Sequence, residues 1–236
     1  MKKFSIFTAM AMSVFLTAMT PMLVHAKSDS GAMTKEMQAA MTPAKALDLL
    51  KQGNERFLAG KPKNIDYLAQ IKDTAAGQYP FASIVSCLDS RIPPEIIFDR
   101  GIGDLFVGRV AGNFVDDEML GSLEFSTKLA GSKLIVVMGH TECGAVKGAC
   151  DGAQLGLLTS TLANINEAIS AVEGEYSPRN SGNKQYVQAV SDMNVQLTMD
   201  KISQRSLVLR EMINNDEIAV VGAMYDVSTG KVTFLD

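Results

Sequence analysis

The chain of 236 residues has no tryptophan and only two histidines, His25 and His140. A metal centre built from several imidazoles is therefore excluded. Its three cysteines, Cys87, Cys143 and Cys150, are too few and odd in number for a disulfide framework. No C-x-x-C pair is present, which argues against a thiol redox protein. Basic residues do not dominate: 22 Lys and Arg face 26 Asp and Glu, for a net charge of −4. Without a basic run there is no electrostatic footprint for nucleic acid. The G-x-G-x-x-G fingerprint of a dinucleotide site is also missing, because Gly101-x-Gly103 lacks its third glycine. The apolar stretch over residues 4–19 is about 16 residues long, short of the roughly 20 of a membrane-spanning helix.

That stretch has another reading. Lys2-Lys3 precedes it, and Val24-His25-Ala26 follows with small residues at the positions a signal peptidase reads. Together these describe a secretory signal peptide over residues 1–26, cleaved after Ala26. No lipobox cysteine follows. The expectation is a periplasmic or secreted protein with no stable membrane insertion after cleavage. Residues 27–236 then make a single domain, with residues 27–60 as an N-terminal helical arm. His25 leaves with the leader, so the mature chain keeps one histidine, three residues before Cys143.

Residues 27–41 read as a mobile lead or loose helix. Thr42-Pro43 reads as the cap and first position of a helix running to about residue 58, stopped by Gly60 and weakened by Gly53. Strands are expected at 81–87, 104–110, 133–138 and 218–225, the third almost wholly apolar. Helices are expected at 93–99, 118–130, from 143 onward, as one longer helix over 155–172, and over 185–214 in two pieces. Val227-Ser228-Thr229-Gly230 turns the last long strand into a hairpin partner over 232–235. The fold class is α/β: a mostly parallel central β-sheet, about four parallel strands plus a C-terminal antiparallel strand, flanked by helices.

Two segments carry chemistry. Cys87-Leu88-Asp89-Ser90-Arg91 ends the first strand, and His140-Thr141-Glu142-Cys143 ends the third. Ligands bind outside the carboxyl ends of parallel strands. Cys87, Asp89, His140 and Cys143 would thus meet in one crevice. Thiolate, imidazole and carboxylate are zinc ligands in tetrahedral sites. Two cysteines and the histidine leave the fourth position for water, a catalytic site, or for Asp89, a closed one. Cys150 lies two helical turns beyond Cys143, too far along to share the metal, and reads as a core thiol.

At these residues the sequence resembles a β-class carbonic anhydrase. The likeness extends to Gly53-Asn54-Glu55-Arg56-Phe57, Gly77-Gln78-Tyr79-Pro80-Phe81, Pro93-Pro94-Glu95, Gly101-Ile102-Gly103-Asp104-Leu105-Phe106, Ala111-Gly112-Asn113, the stretch from Gly139 to Val146, and Tyr225-Asp226-Val227-Ser228-Thr229-Gly230-Lys231. It covers residue 44 to the C-terminus. The resemblance implies zinc on Cys87, His140 and Cys143, a catalytic dyad of Asp89 and Arg91, and reversible hydration of carbon dioxide to bicarbonate and a proton by a zinc-activated water. It further implies Gln78 as a hydrogen-bonding substrate contact, Phe106 as an apolar wall, Gly144 beside the substrate, and a homodimer or homotetramer with each site near a subunit interface. Two residues depart from the pattern. Phe125 stands where many members have a pocket tyrosine. Ile84 stands where the bicarbonate-inhibited branch has tryptophan, which favours the plant-like open site with water on the metal; Asp89 would be a ligand only in a closed state. With two thiolates cancelling the ion's charge, the water should be less acidic than on three imidazoles, and activity should rise through the alkaline side of neutrality. The rival readings are hydrolysis of carbonyl sulfide or carbon disulfide at the same site, and a non-catalytic zinc protein closed by Asp89.

Overall fold

The computed structural model describes Met1 and residues 30–235. The leader expected over residues 1–26 lies, Met1 aside, outside the described residues. No described helix is long and apolar enough to cross a membrane.

The expected loose lead is partly docked. Ala32 and Met33 are buried, and α1 (Lys35–Ala39) follows, capped by Thr34. Gln38 inserts its amide into the body, donating to the Pro80 and Ala130 carbonyls at 2.7 and 2.8 Å. A polar side chain anchors the segment, so no apolar pattern announced it. α2 (Pro43–Leu58) starts at Thr42, whose Oγ1 accepts from the Lys45 amide at 3.2 Å. Gly53 does not merely weaken this helix. A Cβ there would sit 1.9 Å from the Phe98 carbonyl oxygen, so glycine permits the backbone contact with the segment after α4.

α3 (Tyr67–Thr74) falls in a stretch where the sequence predicts no element. After it the α/β pattern begins: β1 (Ala82–Ser86), α4 (Pro94–Ile97), β2 (Leu105–Arg109), α5 (Asp117–Glu124), a π-helical turn (Phe125–Leu129), β3 (Leu134–His140) and α6 (Gly144–Cys150). The single helix expected over 155–172 is two, α7 (Gly156–Ala163) and α8 (Asn166–Ala171). Between them the Asn164 side-chain amide bonds the Ser160 and Thr161 carbonyls, and the Asn164 and Ile165 amides make tighter i→i−3 bonds. The two-piece helix expected later is α9 (Lys184–Arg205) and α10 (Leu207–Asn214), divided at Ser206. β4 (Ala219–Tyr225) and β5 (Val232–Phe234) complete the order.

The five strands lie in the order β2-β1-β3-β4-β5. Only the β4–β5 pair is antiparallel. β1 and β3 are buried along their whole length, as their unbroken apolar runs require. Alternate residues face two cores. Ile84, Leu134, Val136 and Met138 pack toward α2, α4 and α6, whereas Val85, Ile135 and Val137 pack toward α5 and α10. β1 and β3 are neighbours, with Ser86 level with Met138. Their carboxyl ends therefore open side by side.

Candidate metal centre and active site

Cys87 leaves β1 one residue past Ser86, His140 is the last residue of β3, and Cys143 caps α6. All three are buried, and their ligand atoms lie within 4.8 Å of one another. The two sulfurs are 4.0 Å apart and unbridged. A tetrahedral zinc at about 2.3 Å from each would hold them roughly 3.8 Å apart. His140 is oriented by its main-chain neighbour: Nδ1 is 2.9 Å from the Thr141 carbonyl, which only accepts, so Nδ1 carries the proton. Nε2 is then a lone-pair donor, buried and without a hydrogen-bond partner. An unpartnered buried nitrogen beside two close thiols is a donor set that fits zinc.

The thiol chemistry agrees. The Cys143 thiol hydrogen-bonds Cys87 and pulls it well below the usual thiol range, while the same contact and burial push Cys143 up. Two thiols this close, one favouring its thiolate, are suited to losing their protons to a divalent cation. The Gly112 amide also donates to Cys87 Sγ at 3.4 Å.

Asp89 stands beside this group, its Oδ2 3.9 Å from His140 Nε2. Arg91 grips it as a fork, with Nε to Oδ1 at 2.9 Å and Nη2 to Oδ2 at 2.7 Å, and the Arg91 amide adds a bond to Oδ1 at 3.0 Å. These bonds hold the Asp89 carboxyl down at about 2, against the raising effect of burial. The clasp is seated by Arg109, whose guanidinium donates to the Cys87 carbonyl at 3.0 Å and to the Asp89 carbonyl. Sequence reasoning missed Arg109. Its position at the exit of β2, next to β1, was the available signal. On the other side, Glu142 takes φ of +57° and pairs with Lys147 and Lys184.

A family model described as carbonic anhydrase matches residues 82–232. Carbonic anhydrase 2 of Mycobacterium tuberculosis is 35% identical over 198 residues, covering 82% of this chain and 93% of that one. The carbonic anhydrase of Mycolicibacterium smegmatis is 32% identical, over 80% of this chain and 92% of its own. The chain belongs to the β-class carbonic anhydrase family. Solved β-carbonic anhydrases agree: one from Sordaria macrospora, described as tetrameric, has 27% identity and a TM-score of 0.60 over 70% of this chain and 85% of its own, and CafA of Aspergillus fumigatus has 25% identity and 0.63 over 82% and 90%. Its class is therefore that of a carbonate dehydratase, a zinc lyase.

Not every residue expected at a β-carbonic anhydrase site gathers there. Gly144 does: it opens α6 directly after Cys143, exposed, with nothing within 4 Å of where a Cβ would be. Gln78 does not. It is exposed before the start of β1, among Thr74, Gly77, Ile102 and Gly103. The whole of β1, about 16 Å for five residues, separates that end from the metal group. Phe106 is also away, near the start of β2, level with Ser83. It meets Phe125 edge-to-face at 6.2 Å in an open groove floored by Ser83 and walled by Met119 and Leu123. Phe125 begins the π-helical turn and is half-exposed. Cys150 is outside the metal group and partly buried against the core; burial pushes its thiol up.

Proposed function

We propose that this protein hydrates carbon dioxide to bicarbonate at an open zinc site served by an Asp89–Arg91 dyad. The observation that carries the reading is the two-pronged Arg91 clasp on Asp89 beside a buried Cys87–His140–Cys143 group. A structural metal site has no use for such an arginine. Bound zinc supplies Lewis acidity, which lets water act as a nucleophile near neutral pH. Cys87, Cys143 and His140 hold it. Asp89 accepts a hydrogen bond from the attacking water and so aims that water's free lone pair at carbon dioxide. Arg91 keeps Asp89 ionised and turned away from the ligand group. Two thiolate ligands donate more charge than imidazoles, so activity rises through the alkaline side of neutrality.

Gln78 and the Phe106–Phe125 groove serve the site from a second copy of the chain. Their placement at the far end of the same sheet supports this, as does the tetrameric state of the Sordaria relative. A homodimer or homotetramer is the working assembly. Export by the leader over residues 1–26 would put bicarbonate production in the periplasm or outside the cell.

Stopped-flow carbon dioxide hydration at about pH 8.5, with zinc quantified, tests the reading. Fast turnover lost on removing zinc supports it. One zinc per chain without turnover sinks it, in favour of a site closed by Asp89; turnover of carbonyl sulfide or carbon disulfide alone would move the substrate.

A further inference from the structure

The metal group has a support that comes from the core and not from the metal loops. After β2, Val110 to Asn113 form a tight turn closed by the Asn113 amide on the Val110 carbonyl at 3.1 Å. Its third residue, Gly112, has φ of +92°, the form of a type II turn. In such a turn the central peptide can be oriented either way, and the glycine allows the orientation seen here. That peptide carries the Gly112 N–H, which donates to Cys87 Sγ at 3.4 Å. Turned over, it would aim the Ala111 carbonyl at a thiolate. A Cβ on Gly112 would also sit 2.7 Å from Ile165 Cδ1.

The next peptide is pinned from far away in sequence. Asn194, in the middle of α9 and 3% exposed, donates its side-chain amide to the Gly112 carbonyl at 2.8 Å. A glycine has little conformational preference of its own, so the anchor on its carbonyl side decides how its N–H meets the sulfur. We propose that Asn194 is a positioning residue for the zinc centre: through Gly112 it holds the N–H···S bond that draws charge from the Cys87 thiolate. It touches neither metal nor substrate. Its effect is on how strongly Cys87 donates to the ion, and on how well the ligand is fixed. Outer partners of this kind change metal affinity by about 10–100-fold.

This rests on Cys87 being a zinc ligand, and the experiment separates the two claims. Zinc affinity is measured by chelator competition on the full chain, and the sulfur-to-metal charge-transfer band is recorded after cobalt substitution. One zinc per wild-type chain, lost in Cys87→Ser, secures the ligand; zinc retained in Cys87→Ser overturns both claims. Asn194→Leu keeps the size and removes the donor. It should weaken zinc binding about 10–100-fold, because the Cys87 ligand is no longer firmly placed, and move the cobalt band to longer wavelength, because an undrained thiolate donates more strongly. Val190→Ala, one turn earlier on α9 and fully buried, is the control for lost stability alone and should leave the band in place. If Asn194→Leu does not fold, Asn194→Ser takes its place in both measurements. An unchanged band and affinity in a folded Asn194 variant, with stability lowered as in Val190→Ala, would overturn the positioning role while leaving the zinc site standing.

Discussion

The two ends of the sheet treat buried polar groups in opposite ways. At the amino end, charges face one another. Arg56 meets Asp99 at 2.5 Å, and the Lys63 amide bonds the same carboxylate at 3.0 Å. Arg100 lies over the Phe81 ring at 5.2 Å and donates to the Leu49 carbonyl. Asp104, whose burial pushes its carboxyl up, accepts from the Gly101 amide at 3.1 Å. Those groups tie α2 and the loop after α4 to the strand starts. At the carboxyl end, two thiols and an imidazole converge with one nitrogen unpartnered, and the carboxylate beside them is turned to an arginine. One end uses charge to fix the fold; the other keeps donors converged for a ligand. A buried polar group without an internal partner is the mark of the functional end only when its neighbours are also ligands. Arg56 Nη2 and Arg100 Nε lack partners too, yet both guanidiniums are engaged through their other nitrogens.

The sharpest way to break this contrast is at Arg91. Arg91→Ala should stay folded and keep one zinc per chain, yet lose about 10²–10⁴-fold in hydration rate, the range for a misplaced proton-handling group. An active mutant would remove the dyad from the account. Asp99→Asn should do the reverse, costing about 2–3 kcal/mol in denaturant unfolding. That is below the 3–5 of a fully buried pair, because Arg56 is partly exposed. Zinc per folded chain should be unchanged, and a zinc loss would join the two ends functionally. The smallest effect is in the titration of Asp89. Its carboxyl is held at about 2 by Arg91. A depressed folded pKa contributes stability above the unfolded value near 4, and that contribution is lost as pH falls toward 2. Arg91→Ala should raise the Asp89 midpoint toward 4, read by carboxyl NMR, so that the wild type has a stability advantage from this group that is full above about pH 4 and vanishes below about 2. A midpoint that stays put in the variant would mean that Arg91 does not control the charge.

Much of the carboxyl end was legible because strand and ligand signals coincide. β1 and β3 are unbroken apolar runs, and each hands directly to Cys87 or to His140. The Thr42 cap and the hairpin turn before β5 were legible from residue type alone. α3 was not, because it inverts the usual pattern: Gln70 is buried and accepts from the Ile102 amide at 2.8 Å, while Tyr67, Leu68 and Ile71 face outward. Hydrophobic periodicity cannot find such a helix. The π-helical turn, set by the Ala130 amide reaching back to the Phe125 carbonyl at 2.9 Å, leaves no distinct sequence mark. Arg109 and Asn194 escaped for another reason. Each acts on a main-chain carbonyl distant in sequence, Arg109 on Cys87 and Asn194 on Gly112, so only the packing of β2 and α9 in the folded chain brings them to the metal group. Gln78 and Phe106 were named by resemblance alone, and one chain does not bring them to the metal.

That last point gives the most direct test of the contrast between the two ends: whether the amino end of one copy completes the carboxyl end of another. Cys87→Ser and Gln78→Leu chains would be co-expressed and carbon dioxide hydration measured for each alone and for the mixed product. In a mixed dimer, the chain with an intact metal end would receive Gln78 from its neighbour. Recovery to about a quarter of the wild-type rate is expected for random pairing in a two-fold dimer. A mixture no faster than its separate parts would contradict it.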